Sequence, residues 1–166
     1  MMPHASNPGR RKPNLHLGTA FFLVVLAAGC VRYRIDRGEP LLSAQEHLRL
    51  GTVYEQDTKF DLAERHYRDA LKAGADPAVV NFMLGNVAYG RKDWGEAEAR
   101  YKEALQRDPG HADAHNNLAW LYAERGIHLQ QAEKHARRAL ELNPDSADPY
   151  RDTLKRVKKA QTESSR

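Results

Sequence analysis

Three dipeptides, Leu50-Gly51, Leu84-Gly85 and Leu118-Ala119, stand 34 positions apart, and the residues around them repeat in kind. The middle copy is the clearest. From Ala78 to Pro109 the chain reads AVVNFMLGNVAYGRKDWGEAEARYKEALQRDP, with apolar residues returning at three- and four-residue steps in two runs. That spacing predicts two amphipathic helices, about Pro77 to Tyr89 and Trp94 to Gln106. Gly85 on the first and Ala97 on the second are expected at the crossing, since helix axes approach to roughly 8–10 Å only over small residues. Gly90 is expected in the left-handed conformation that ends a helix, and Asp93 with Glu96 as a capping box for the next one. Pro109 stops that second helix. A lone hairpin cannot bury its apolar side, so the 34-residue period confines the chain to a stack of hairpins sharing one core.

Aligned on these pairs, Tyr54, Ala63, Tyr67 and Ala70 precede the middle copy, and Tyr122, Ala132, Ala136, Ala139 and Pro144 follow it. The pattern resembles the tetratricopeptide repeat (TPR), a helix–turn–helix unit of about 34 residues with small and aromatic residues at these places. The resemblance covers Ser43 to Asp148. It implies an all-α fold, a right-handed α-solenoid of three hairpins over about 44–77, 78–111 and 112–147. The first hairpin is expected at Ala44–Gln56 and Phe60–Ala73, behind a Ser43/Glu46 capping box. The third is expected at Ala112–Glu124 and Leu129–Leu142. Three departures stand out: Ala75 replaces a proline, the Gly126–Gln131 turn has one extra residue, and Ala136 replaces an aromatic. A capping helix over 149–160, carrying Tyr150, Leu154 and Val157 on one face, is expected to close the array, because the last hairpin otherwise leaves an apolar side in water. Residues 161–166 read as a frayed, disordered tail.

Ahead of the repeats, residues 1–29 read as a targeting segment. Arg10-Arg11-Lys12 precedes an apolar run, LGTAFFLVVLAA, that is shorter than the roughly 20 residues of a spanning helix. LAAGC resembles the bacterial lipobox, in which the cysteine is lipidated and acylated after cleavage. The resemblance implies a lipid anchor at Cys30, followed by a tether over 30–42. An uncleaved membrane anchor is the alternative. Cys30 is the only cysteine, so no disulfide is expected within the chain. Val31 after it favours the outer membrane, facing the periplasm, over retention at an inner one. Arg32, Arg34 and Arg37 of the tether can meet lipid phosphates.

Charge adds an exclusion. The formal net charge is +4, but Arg10, Arg11 and Lys12 supply three of the 26 basic side chains, leaving 23 against 22 acidic ones. A nearly neutral repeat region gives no reason to expect nucleic acid. Nor is there a phosphate loop, an activated nucleophile or a carboxylate pair in a recognisable motif, and neither enzymatic activity nor a cofactor is expected. His111 and His115, four apart with Asp113 between them, offer two metal ligands without an evident third. His47, His66, His128 and His135 show no ligand spacing.

The TPR resemblance implies instead a protein or peptide partner, held in a concave groove lined by the first helix of each hairpin. Carried over position by position, the inward residues are Gln45, Leu48, Thr52, Glu55 and Gln56, then Val79, Phe82, Asn86, Tyr89 and Gly90, then Asp113, Asn116, Trp120, Ala123 and Glu124. Phe82, Tyr89 and Trp120 form an aromatic group, or simply pack between helices. Asn86 and Asn117 match amides that bond a ligand backbone in peptide-binding members, with Asn116 beside them. Leu48, Met83 and Asp113 stand where the lysine-rich carboxylate clamp of chaperone-binding members would be, so a C-terminal carboxylate is not the expected ligand. The resulting expectation is a lipid-anchored adaptor or scaffold of the bacterial envelope. The alternative is a pilotin-like assembly factor acting through self-association or its convex face.

Overall fold

The computed structural model describes residues 42–145 and 147–165. Cys30, the targeting segment and most of the tether lie outside them. The described residues form helices α1 (Ala44–Gln56), α2 (Phe60–Lys72), α3 (Pro77–Gly90), α4 (Trp94–Arg107), α5 (Ala112–Arg125), α6 (Leu129–Leu142) and α7 (Ala147–Ser164). The pairs α1/α2, α3/α4 and α5/α6 pack as hairpins, α2 packs on α3 and α4 on α5, and α7 covers α5 and α6. This is an all-α helical-repeat fold.

The helix starts follow from local chemistry. Ser43 Oγ accepts from the Glu46 amide at 3.3 Å while Glu46 Oε2 accepts from the Ser43 amide at 2.7 Å, a complete capping box. Asp76 accepts from the Ala78 amide, with Pro77 in the first turn, where its missing N–H costs nothing. Asp93 accepts from the Glu96 amide at 3.2 Å. α2, α4 and α6 each bury a single stripe, as with Ala63, Tyr67 and Ala70 on α2. α3, held between neighbours, buries residues around much of its circumference, from Ala78 and Val80 to Val87 and Ala88.

The hairpin crossings are built differently from the sequence expectation. A Cβ added at Gly85 would lie 2.6 Å from the Tyr101 ring, so the residue Gly85 admits is Tyr101 and not Ala97. Gly51 stands in the same relation to Tyr67, at 2.4 Å. In the third hairpin both members change together. Ala119 has the Cβ that the tyrosine would not tolerate, and Ala136 replaces the ring. Both are fully buried, in one core cluster with Val157 of α7.

The turns also repeat. Lys59, Asp93 and Ile127 each donate a backbone bond five residues back, to Tyr54, Ala88 and Tyr122. The left-handed residue beside each bond is Thr58 (φ 58°), Lys92 (φ 62°) or Gly126 (φ 64°). Gly90 does not take that conformation. It is the last residue of α3, and a Cβ there would lie 2.5 Å from the Phe60 ring. Its smallness serves packing between hairpins. The extra residue of the third turn is absorbed at His128, which is also left-handed.

The capping helix is longer than the expected 149–160. It continues through 161–164, which the sequence reading had assigned to a disordered tail. Gln161 Nε2 donates to the Leu129 carbonyl at 3.3 Å and to Glu133 at 3.0 Å, tying this turn to α6. Tyr150 fixes the other end, donating to Asp113 at 2.7 Å.

Candidate functional site

A cavity of about 410 Å³ lies among the three hairpins, walled by Glu55, Phe60, Asn86, Tyr89, Gly90, Tyr101, Asn116, Asn117 and Trp120. Its size falls within the range of ligand pockets, roughly 300–1,000 Å³. The structure thus brings together five of the six groove residues expected from the sequence. Phe82 is the exception. It is partly buried against the core, with its ring 4.6 Å from His111 and 6.2 Å from Tyr101, and it does not line the cavity. The neighbouring turn supplies His111, and that ring takes up Phe82.

The floor is a polar ladder. Tyr101 Oη, set by the fit of its ring against Gly85, donates to Asn86 Oδ1 at 2.9 Å. Asn117 Nδ2 donates to the same oxygen at 2.9 Å, and Asn116 Nδ2 donates to Asn117 Oδ1 at 3.4 Å. Asn117 is therefore hydrogen-bonded within the fold at both amide atoms, to Asn86 and Asn116, the two other amides expected in the groove. Two groups remain: Asn116 Oδ1 is buried without a partner, and Asn86 Nδ2 makes no hydrogen bond within the described residues. One acceptor and one donor are what an extended peptide unit requires.

Aromatic groups form one wall. Trp120 Nε1 donates to Tyr89 Oη at 2.8 Å, and Tyr89 Oη donates to Glu124. Burial, followed by that bond to Glu124, pushes the Tyr89 hydroxyl pKa up to about 12. The Arg156 guanidinium of α7 lies 4.4 Å from the centre of the Trp120 ring, a cation–π contact. At the opposite end Glu55 Oε2 accepts from Tyr67 Oη at 2.6 Å. Burial raises the pKa of the Glu55 carboxyl, and the tyrosine bond opposes the shift.

Phe60 and Tyr101 were not legible as lining residues, because each lies on the second helix of its hairpin. The signal available was the glycine opposite each ring, Gly90 and Gly85. The other expected inward positions serve the fold where partners are seen: Thr52 bonds the Leu48 carbonyl, and Asp113 holds Tyr150.

The histidines are arranged otherwise than their spacing suggested. His111 Nδ1 accepts from the Ala114 amide and caps α5, so it does not share a site with His115. His115 and His135 approach at 2.7 Å between their Nδ1 atoms, and His47 and His66 at 3.1 Å. In the middle hairpin the same two positions hold Asn81 and Arg100, bonded at 3.1 Å. Among the described residues no three His, Cys, Asp or Glu side chains converge as a metal site.

The tetratricopeptide repeat family model matches residues 82–147. Residues 82–147 thus carry tetratricopeptide repeats. Among curated proteins the chain is similar to the protein O-mannosyl-transferase Tmtc1 of Drosophila melanogaster, 31% identical over 116 residues, covering 65% of this chain and 14% of that protein. It is 28% identical over 85 residues to stress-induced-phosphoprotein 1 of Caenorhabditis elegans, covering 51% of this chain and 26% of that protein. The chain thus spans about a seventh and a quarter of these relatives. Among solved structures, the first TPR of Spaghetti (RPAP3) bound to the HSP90 peptide SRMEEVD aligns with a TM-score of 0.64 at 20% identity, over 72% of this chain and 94% of that one. The TPR2B domain of yeast Sti1, solved as a pHsp70 complex, aligns with a TM-score of 0.63 at 17% identity, over 72% and 97%. At such identities the likeness is one of fold.

Proposed function

We propose that this TPR domain is a protein-binding adaptor that holds an extended segment of a partner protein in the cavity among its hairpins. The observation that carries the reading is the pair of uncommitted amide atoms, Asn116 Oδ1 and Asn86 Nδ2, in a cavity walled by Tyr89 and Trp120. A ligand backbone pairs with Asn86 Nδ2 and, once the Asn116 amide turns its Oδ1 toward the cavity, with that atom too, removing the cost of about 1–3 kcal/mol of a buried polar atom without a partner. Two of the similar structures were solved with an HSP90 peptide and as a pHsp70 complex, which supports peptide binding as a use of this fold.

We further propose that the adaptor is lipid-anchored in a bacterial envelope. The support is the LAAGC sequence ending at Cys30 and the twelve-residue stretch from Val31 to Leu42 ahead of the domain. Fully extended, that stretch reaches up to about 40 Å, enough to hold the groove clear of a membrane surface.

A photo-crosslinking residue placed at position 120 of the full chain in cells tests the groove. Capture of one protein, lost on Asn86→Ala or by competition with a fragment of that protein, is the expected result. Capture only of further copies of this chain would instead favour an assembly factor acting by self-association.

A further inference from the structure

We infer that the segment held in the groove presents a basic side chain, lysine or arginine, to Glu55. This deepens the adaptor reading and rests on it. Glu55 is the one carboxylate that walls the cavity, and its one hydrogen bond within the described residues comes from Tyr67 Oη, a neutral donor. No cation pairs with it among the described residues. Basic side chains are engaged elsewhere: Lys59, four residues on, pairs with Asp57, Arg91 pairs with Asp61 and Glu64, Arg125 lies over the Trp94 ring, and Arg156 lies over Trp120. A half-buried carboxylate without a counter-charge is costly to keep ionised, and a ligand cation offsets that cost.

A second, independent feature has the same sign. α1 and α3 both end at this cavity, Glu55 lying in the last turn of α1 and Gly90 closing α3. Neither helix has a basic residue in its last turn. The carbonyl end of the α1 dipole therefore has no cation in its last turn, and at α3 the capping Arg91 turns its guanidinium to Asp61 and Glu64. An ammonium or guanidinium at Glu55 complements both helix ends. Its aliphatic stem fits the apolar rim at Phe60. The same field disfavours an acidic ligand, so an acidic peptide such as the SRMEEVD of the similar structure is not the ligand class expected here.

The full chain in detergent is panned against a random octapeptide display library. Selected peptides are then resynthesised with N-acetyl and C-amide ends, so that only side chains carry charge. Lysine or arginine should dominate one position, and norleucine there should weaken binding about tenfold or more, as loss of one partner of a desolvated charge pair does. Glu55→Gln keeps an oxygen for Tyr67 and so should fold with unchanged helicity. It should bind the lysine and norleucine peptides within about a factor of two of each other. Peptides that need Trp120 but show no basic preference, or prefer acidic residues, would overturn this inference and leave the adaptor reading standing. Peptides whose binding ignores Trp120→Ala, or a library yielding no binder, would overturn both.

Discussion

Replacing Gly85 by alanine should destabilise the domain, and the sign of that effect should reverse once Tyr101 is removed. The added Cβ would sit 2.6 Å from two carbons of the Tyr101 ring. That ring is 1% exposed and its hydroxyl is held by Asn86, so it has no free direction in which to yield. Overpacking of this kind costs about 1–3 kcal/mol. Alanine returns about 1 kcal/mol over glycine in a helix interior, which leaves a net loss of up to roughly 2 kcal/mol. Tyr101→Ala alone should cost about 3–5 kcal/mol, as deletion of a core aromatic does. In that background the clash is gone, and Gly85→Ala should stabilise by up to about 1 kcal/mol. The double variant reproduces the Ala119/Ala136 pairing that the third hairpin already uses. Urea unfolding of the four proteins, followed by helical circular dichroism, gives the cycle. Gly85→Ala with the same effect in both backgrounds, or one that stabilises the parent, would refute the packing argument.

Other consequences are testable in the same way. Thr58→Gly should raise stability by about 0.5–1 kcal/mol, because a β-branched residue there is held left-handed; an unchanged urea midpoint would contradict it. Tyr150→Phe should cost about 1–2 kcal/mol through loss of the bond to Asp113, read from the same titration. The His115–His135 pair should make the domain acid-sensitive. Burial, then the facing His115 and Lys102, lowers the His135 pKa from 6.5 to about 4, and His115 is lowered in the same direction. The unfolded chain therefore binds more protons between these values, so this stability is complete above about pH 6.5 and is lost as pH falls toward 4. The loss should be at most about 3 kcal/mol, reduced by solvent screening of this partly exposed pair. His115→Asn with His135→Arg, which installs the pairing of the middle hairpin, should flatten that dependence; an unaltered slope would exclude the pair as its source. Finally, Cys30→Ser should release the protein from the membrane fraction, and a mass for residue 30 without lipid would refute the anchor.

The parts that were legible in the sequence and the parts that were not differ in physical kind. Helix positions follow from spacing and capping, which are local. Asp76-Pro77, Ser43/Glu46 and the three-to-four-residue apolar steps therefore placed most helix ends within a residue or two. Gly90 was misread because two local roles, turning left-handed and leaving room for a neighbour, call for the same residue. Only the three-dimensional register separates them, giving the turn to Lys92 and the room to Phe60. The end of α7 was misread for a similar reason. Nothing near Gln161 in sequence announces that its partners are Leu129 and Glu133 on another helix.

The candidate site was legible only as a set of positions. The repeat assigns Asn86, Tyr89, Asn116, Asn117 and Trp120 to an inner face, but not the hydrogen bonds among them, and those bonds decide which atoms remain for a ligand. Aligning the hairpins in space recovers what aligning them in sequence misses, because equivalent positions change as pairs. Gly51 with Tyr67 and Gly85 with Tyr101 become Ala119 with Ala136. His47 with His66 becomes Asn81 with Arg100 and then His115 with His135. Each change is compensated across the hairpin, so the fold tolerates it. Glu55 has no such compensation. Its positional equivalents are Tyr89, whose hydroxyl is bonded on two sides, and Ala123, which is buried. The first hairpin alone places a carboxylate at this position and supplies no basic side chain to match it. In an array that otherwise balances its substitutions within each hairpin, that imbalance sets Glu55 apart as the residue to test against a ligand.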